Sequence, residues 1–221
     1  MQKTMVNGVY KKGDKFYTET PAHAKGIYVY NEKLYTYKGK EYRSWNPYRS
    51  KLAAALKKDI SVEILPQFHI LYLGAAMGTT VSHIADIVVD GIVYAVEHTP
   101  LAMSNLLKVS TVRTNIIPLL EDANHPDRYA ASVDPVDIVY QDISQRNQAD
   151  IFIRNIRRYL KKKGLGILMV KARSIDVALK PHEVYRLVAD TLQQADMHIL
   201  AMGELTPFDK DHAVILARMK T

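Results

Sequence analysis

The stretch that decides the fold is Phe68-His69-Ile70-Leu71-Tyr72-Leu73-Gly74-Ala75-Ala76-Met77-Gly78-Thr79-Thr80. A continuous apolar run ends in two glycines four residues apart and passes into a helix-forming segment near 79–88, so it reads as a buried parallel strand, a tight turn and a helix. The alternation continues downstream. Strands are expected at Phe68–Leu73, Ile92–Val96, Asn115–Leu120, Val136–Tyr140, Gly166–Val170, His198–Glu204 and Ala213–Met219, with helical segments near 100–109, 126–132, 145–162 and 181–195. This is the pattern of an open α/β sheet covered on both faces. Only Leu205 to His212 separates the last two strands, too few residues for a parallel return, so they are expected to pair antiparallel.

Upstream, residues 5–43 read as a small antiparallel meander. Short segments at Val9-Tyr10, Phe16–Thr18, Ile27–Tyr30, Leu34–Tyr37 and Glu41–Arg43 are separated by turn signals such as Lys12–Lys15 and Lys38-Gly39-Lys40. Half of the 14 tyrosines lie there, interleaved with lysines. That surface suits stacking and phosphate contact with RNA, and equally suits plain half-exposed strands. Asn46 as N-cap, Pro47 at the first helical position and an Ala/Leu run then predict a helix from about 47 to 58. The expected organisation is a β module over residues 1–45 and an α/β domain over 46–221.

The chain has 221 residues, 48% apolar, enough for one full-sized domain with an appendage. Its net charge of +7 is unevenly distributed. Residues 1–60 hold 13 Lys+Arg against 5 Asp+Glu, whereas residues 61–221 hold 17 against 18. A basic segment ahead of a balanced domain points to a polyanionic partner, nucleic acid before a membrane surface. Cysteine is absent, which removes disulfides, a thiolate nucleophile and Cys-based zinc sites; no metal site is expected. Met1–Lys15 lacks the apolar core of a signal peptide, and the longest apolar runs are too short to cross a bilayer, so a cytoplasmic protein is expected.

In such a sheet, ligands bind beyond the carboxyl ends of the strands. Gly74, Ala76 and Gly78 form a turn that lets backbone approach a ligand, and Thr79 is placed to cap the following helix. The three-glycine spacing of a dinucleotide site and the Gly-Lys-Ser/Thr of a triphosphate loop are both missing, which favours a ligand without pyrophosphate. Glu97 ends the second strand, where a carboxylate can accept hydrogen bonds from both ribose hydroxyls. Asp122 with Ala123 follows the third strand, and Asp142 through Gln145 the fourth. Each alone is as readily a cap or a surface carboxylate. Together they outline a pocket for a nucleoside carrying a cation, of the kind that holds S-adenosylmethionine. Lys171, directly after an apolar strand, is expected to emerge into the same cleft as Asp142. His212 opens the last strand, and Lys51 lies on the early helix.

Four long strings carry a resemblance over nearly the entire chain: Glu41-Tyr42-Arg43-Ser44-Trp45-Asn46-Pro47-Tyr48-Arg49-Ser50-Lys51-Leu52-Ala53-Ala54; Leu71–Gly74 with Gly78–Thr80; Val170-Lys171-Ala172-Arg173-Ser174-Ile175-Asp176-Val177; and Pro207-Phe208-Asp209-Lys210-Asp211-His212-Ala213. In these the chain resembles the fibrillarin family in its compact archaeal form. The resemblance implies a Rossmann-like, S-adenosylmethionine-dependent methyltransferase with a seven-stranded, mostly parallel sheet. It further implies RNA 2′-O-ribose methylation inside a box C/D guide ribonucleoprotein. There a guide RNA selects the ribose in rRNA or tRNA, a Nop-domain scaffold binds the methyltransferase, and a kink-turn-binding subunit holds the guide. Family cofactor contacts fall on Thr79, Thr80, Glu97, His98, Asp122, Ala123, Asp142 and Gln145, and the family's Lys-Asp-Lys-His set on Lys51, Asp142, Lys171 and His212. The chain departs from the family pattern at Met77 in the glycine loop and at His98, where a phenylalanine is usual. The intact acidic and lysine positions argue against the alternative of a catalytically inactive RNA-binding or scaffold subunit.

Overall fold

The computed structural model describes residues 1–220. The first segments form β1 (Gln2–Lys3), β2 (Val9–Lys12), β3 (Lys15–Glu19), β4 (Leu34–Tyr37) and β5 (Lys40–Trp45). They build one antiparallel sheet in the order β1-β2-β3-β5-β4, so β5 returns to lie between β3 and β4 instead of ending a simple meander. Lys38 and Gly39 both adopt positive φ, the turn geometry that matches the twist of a hairpin. Ile27–Tyr30 is not a strand. The N–H groups of Val29 and Tyr30 donate to the Glu32 carboxylate, so they are not offered to a neighbouring strand.

The helix expected from residue 47 is α1 (Lys51–Lys57), four residues later. Asn46 shapes a turn instead, its Oδ1 accepting the Tyr48 N–H at 2.9 Å. Ser50 is the actual cap, its hydroxyl oxygen accepting from Ala53 N–H.

The larger unit contains β6 (His69–Leu73), α2 (Thr79–Ile87), β7 (Ile92–Glu97), α3 (Pro100–Val112), β8 (Ile116–Leu120), β9 (Val136–Gln141), α4 (Gln148–Tyr159), β10 (Leu160–Lys171), α5 (Ala172–Ile175), α6 (Pro181–Gln194), β11 (Met197–Glu204) and β12 (His212–Met219). The segment expected as a helix at 126–132 is a short 3₁₀ turn, Pro126–Tyr129. The sheet runs β11-β12-β10-β9-β6-β7-β8, and β12 is antiparallel to both neighbours. Side chains alternate across it. Ile70 and Tyr72 face a core shared with Leu52, Val81, Ile84 and Trp45, whereas Leu71 and Leu73 face a second core with Phe152, Ile156 and Val184. The β module therefore shares one hydrophobic core with α1 and α2.

From β6 the chain winds outward through β7 to β8, then crosses back to β9 on the other side of β6. The order reverses between β6 and β9, and that switch point opens a crevice at their carboxyl ends.

Candidate active site

The crevice floor is made by close backbone approach. Gly74 follows β6 with φ +84°, and a Cβ there would lie 2.3 Å from the carbonyl oxygen of Asp142. The amides of Gly74 and Ala75 both donate to Val96 O, and Asp142 N–H donates to Leu73 O, which ties the ends of β6, β7 and β9 together. Gly78, not Thr79, is the N-cap of α2, so Thr79 and Thr80 sit in the first turn beside the helix's free N–H groups.

Glu97 ends β7 and is buried. Its carboxylate accepts from Ala76 N–H and Thr99 N–H, each at 2.8 Å. Two of about four lone-pair positions are used, and the others remain for hydroxyl donors. Ala76 reaches Glu97 through a positive φ of 49°. His98 is exposed, 3.5 Å from Glu97. Asp122 accepts from the backbone and side-chain N–H of Asn124, whose amide also donates to Gln145 Oε1 at 2.9 Å. Burial pushes the Asp122 carboxyl up, but the Asn124 hydrogen bonds outweigh it and hold it below the usual carboxylate range. The neighbouring Ala123 is buried, its carbonyl accepting from Asn155.

On the other side of the crevice, Lys51 Nζ grips both oxygens of Asp142, at 2.9 and 3.0 Å. It lies 3.7 Å from Asp209, and Asp209 in turn lies 2.9 Å from His212 Nδ1. Burial disfavours the charge on Lys51, but the Asp142 carboxylate, helped by Asp209, more than offsets this and raises its pKa above the ordinary lysine value. Lys51 is thus a fixed cation. Asp209 is pushed up by burial and brought below the usual range by His212 and Lys51. Lys51, Asp142 and Asp209 line a cleft of about 250 Å³ together with Tyr48, Arg49 and Thr80.

The structure brings together the glycine loop with Glu97, Asp122 with Gln145, and Lys51 with Asp142. It does not join Lys171 to Asp142: among the described residues no ion pair connects them, and Lys171 Nζ lies 3.3 Å from Ser144 Oγ. Gln148 fixes that strand end, its side chain accepting from Lys171 N–H and donating to Lys171 O. Lys171 pairs in register with His212 across β10 and β12, so their side chains share a face. Sequence reasoning gave no role to Asn124, Gln148 or Asp209. Asp209 was within reach, since it lies in the Pro207–Ala213 string on the same loop as His212.

A parallel sheet with an antiparallel seventh strand, and a glycine turn facing an acidic strand end, define the class of Rossmann-like methyltransferases. The fibrillarin family profile matches residues 1–221, and the chain belongs to that family. A fibrillarin-like rRNA/tRNA 2′-O-methyltransferase of Methanosarcina mazei is 46% identical over 198 residues, covering 88% of this chain and 87% of the relative. The fibrillarin in a solved fibrillarin/Nop5p complex superposes with a TM-score of 0.91 at 43% identity, covering 99% of this chain and 100% of that one. The fibrillarin of Aeropyrum pernix with natively bound S-adenosyl-L-methionine gives a TM-score of 0.83 at 44% identity, covering 92% and 88%.

Proposed function

We propose that this protein is an S-adenosylmethionine-dependent RNA 2′-O-ribose methyltransferase, the catalytic subunit of a box C/D guide ribonucleoprotein that modifies rRNA and tRNA. The observation that carries the reading is the Lys51–Asp142 pair standing beside the glycine turn at the switch point of the sheet. Family membership, the named relative and the solved complex with Nop5p support it. A Nop-domain scaffold is the direct partner in this reading, and guide RNA and a kink-turn-binding subunit complete the particle. The location is cytoplasmic; among the described residues no helix is long and apolar enough to cross a membrane. The division at 45/46 separates a partner-facing strand module from the methyltransferase domain.

The residues fit the cofactor. Glu97 keeps acceptors free for ribose hydroxyls, and in this reading Thr79, Thr80, His98, Asp122, Ala123, Asp142 and Gln145 complete the cofactor site beyond the strand ends. When bound, S-adenosylmethionine supplies an electrophilic methyl group on a sulfonium. The protein's part is to hold the target hydroxyl in line, which supplies much of the acceleration. Lys51 and Lys171 act as cations that position the ribose and neighbouring phosphate, and Asp142 fixes Lys51.

Methyl incorporation into a guide-matched RNA, by purified protein assembled with its scaffold partners and guide, tests the reading. Wild type should incorporate label, and Asp142→Ala should lose on the order of a hundredfold in rate. Calorimetry showing no S-adenosylmethionine uptake by the wild type would overturn it in favour of a non-catalytic subunit.

A further inference from the structure

His212 is held through one nitrogen. Its Nδ1 lies 2.8 Å from the carbonyl oxygen of Lys210 and 2.9 Å from Asp209 Oδ1. Both neighbours are acceptors, so in the neutral ring Nδ1 carries the proton and Nε2 carries the lone pair. Among the described residues Nε2 has no hydrogen-bond partner. The Lys210 carbonyl sets the tautomer, and the Asp209 carboxylate holds the same nitrogen from a second side. Asp209 also lies 3.7 Å from Lys51, so one carboxylate connects the histidine with the Lys51–Asp142 pair.

We propose that Asp209 is a positioning residue for methyl transfer: it holds His212 from the Nδ1 side, so that His212 Nε2 takes the proton of the target hydroxyl. This inference rests on the methyltransferase reading. The hydroxyl's O–H bond breaks as its oxygen gains the methyl group, and the proton moves to Nε2. No oxidant or further reactant is needed. Lys51 and Asp142 are less suited as acceptors. Lys51 is a cation held by two carboxylates, and Asp142 has both oxygens engaged by that cation. Beside His212 stand Asp209 on its own loop and Lys171, its register partner on β10; Lys51 reaches Asp209 from α1, and Asp211 is itself engaged by Arg173. Asp209 is the carboxylate in contact with the ring.

The first readout needs neither cofactor nor RNA. In ¹H–¹⁵N spectra of the full-length free protein, His212 should show the Nδ1–H tautomer with a downfield ring proton. That proton should move upfield and broaden in Asp209→Asn and Asp209→Ala, and return in Asp209→Glu. The second readout is the steady-state kinetics of methylation by the assembled particle. Asp209→Asn should lose on the order of tenfold or more in kcat, with the KM for S-adenosylmethionine within about twofold; Asp209→Glu should recover part of the rate. An unchanged ring signal in Asp209→Ala, or a wild-type kcat in Asp209→Asn, would overturn the proposal. If the wild-type particle transfers no methyl group, the methyltransferase reading is what fails, and the ring spectra still report separately on the Asp209–His212 contact.

Discussion

Gly74 shows how one residue fixes the crevice. Its φ of +84° is costly for any L side chain, and an added Cβ would meet the Asp142 carbonyl at 2.3 Å, an atom held by the β9 backbone. Gly74→Ala is expected to destabilise the fold by about 2–4 kcal/mol, combining backbone strain with overpacking. Urea denaturation reads the stability, and calorimetry should show weakened S-adenosylmethionine binding, because Asp142, the residue directly after β9, must shift. Placing chemistry-bearing residues at strand ends was possible from sequence, since a strand's terminus is a one-dimensional property. Which of them touch was not. Lys171 and Asp142 lie at the ends of adjacent strands, yet Gln148 holds the Lys171 backbone while its ammonium turns to Ser144. Asp142 is instead paired from α1, 91 residues away in sequence.

At the scale of elements, the late start of α1 matters to the site. Lys51 is the first helical residue, so its aim depends on the cap before it. The Ser50 hydroxyl accepts from Ala53 N–H and also from the Thr80 hydroxyl at 3.1 Å, linking α1 to the first turn of α2. Ser50→Ala should cost about 1 kcal/mol of stability, the ordinary value of a lost cap. It should lower kcat more than it raises KM for RNA, because a frayed first turn releases Lys51 from Asp142. Steady-state methylation kinetics separate the two. The parallel sheet was legible because its strands are long apolar runs between glycine turns, and the β11–β12 hairpin because the connection is short. Asn46-Pro47 carried a genuine start signal, but the same residues satisfy their groups in a turn, and Ser50 supplied the better cap. Ile27–Tyr30 has strand-like composition, yet Glu32, drawn inward by Arg43, claims its N–H groups. Long-range pairing of that kind leaves no local trace.

At the scale of the whole molecule, the basic count of the first 60 residues mixes surface charge with buried structure. Arg43 is fully buried on β5, with Nε donating to Glu32 and its other nitrogens to Asp86 and Ser82 of α2. Arg113 grips Asp86 from the far side. The β module is thus locked to the larger domain by a charge network within their shared core. Arg43→Met should cost about 3–5 kcal/mol, since it leaves part of the buried carboxylate charge uncompensated. His83 lies in the same interface, stacked on Trp45 at 5.1 Å, with Nδ1 against the Thr18 hydroxyl and Nε2 against the Tyr30 hydroxyl, each at 2.7 Å. Tyr30 gives its own proton to Ser44 O, so Nε2 carries the ring proton and Nδ1 accepts from Thr18. Burial first, then Arg43 and Arg113, keeps this imidazole neutral far below its ordinary titration range. An unfolded histidine titrates near 6.5. Above that pH both states are neutral and the network contributes fully. Below it the unfolded chain binds a proton that the folded one refuses, so stability falls by up to about 1.4 kcal/mol per pH unit until the folded state is forced to protonate. Urea denaturation at pH 7.5, 6.0 and 5.0 should show this slope in the wild type. His83→Gln, which keeps a donor and an acceptor but cannot titrate, should be less stable at pH 7.5 and flatter on acidification by that amount. Equal slopes in the two proteins would mean that His83 is not what ties the docking of the β module to pH.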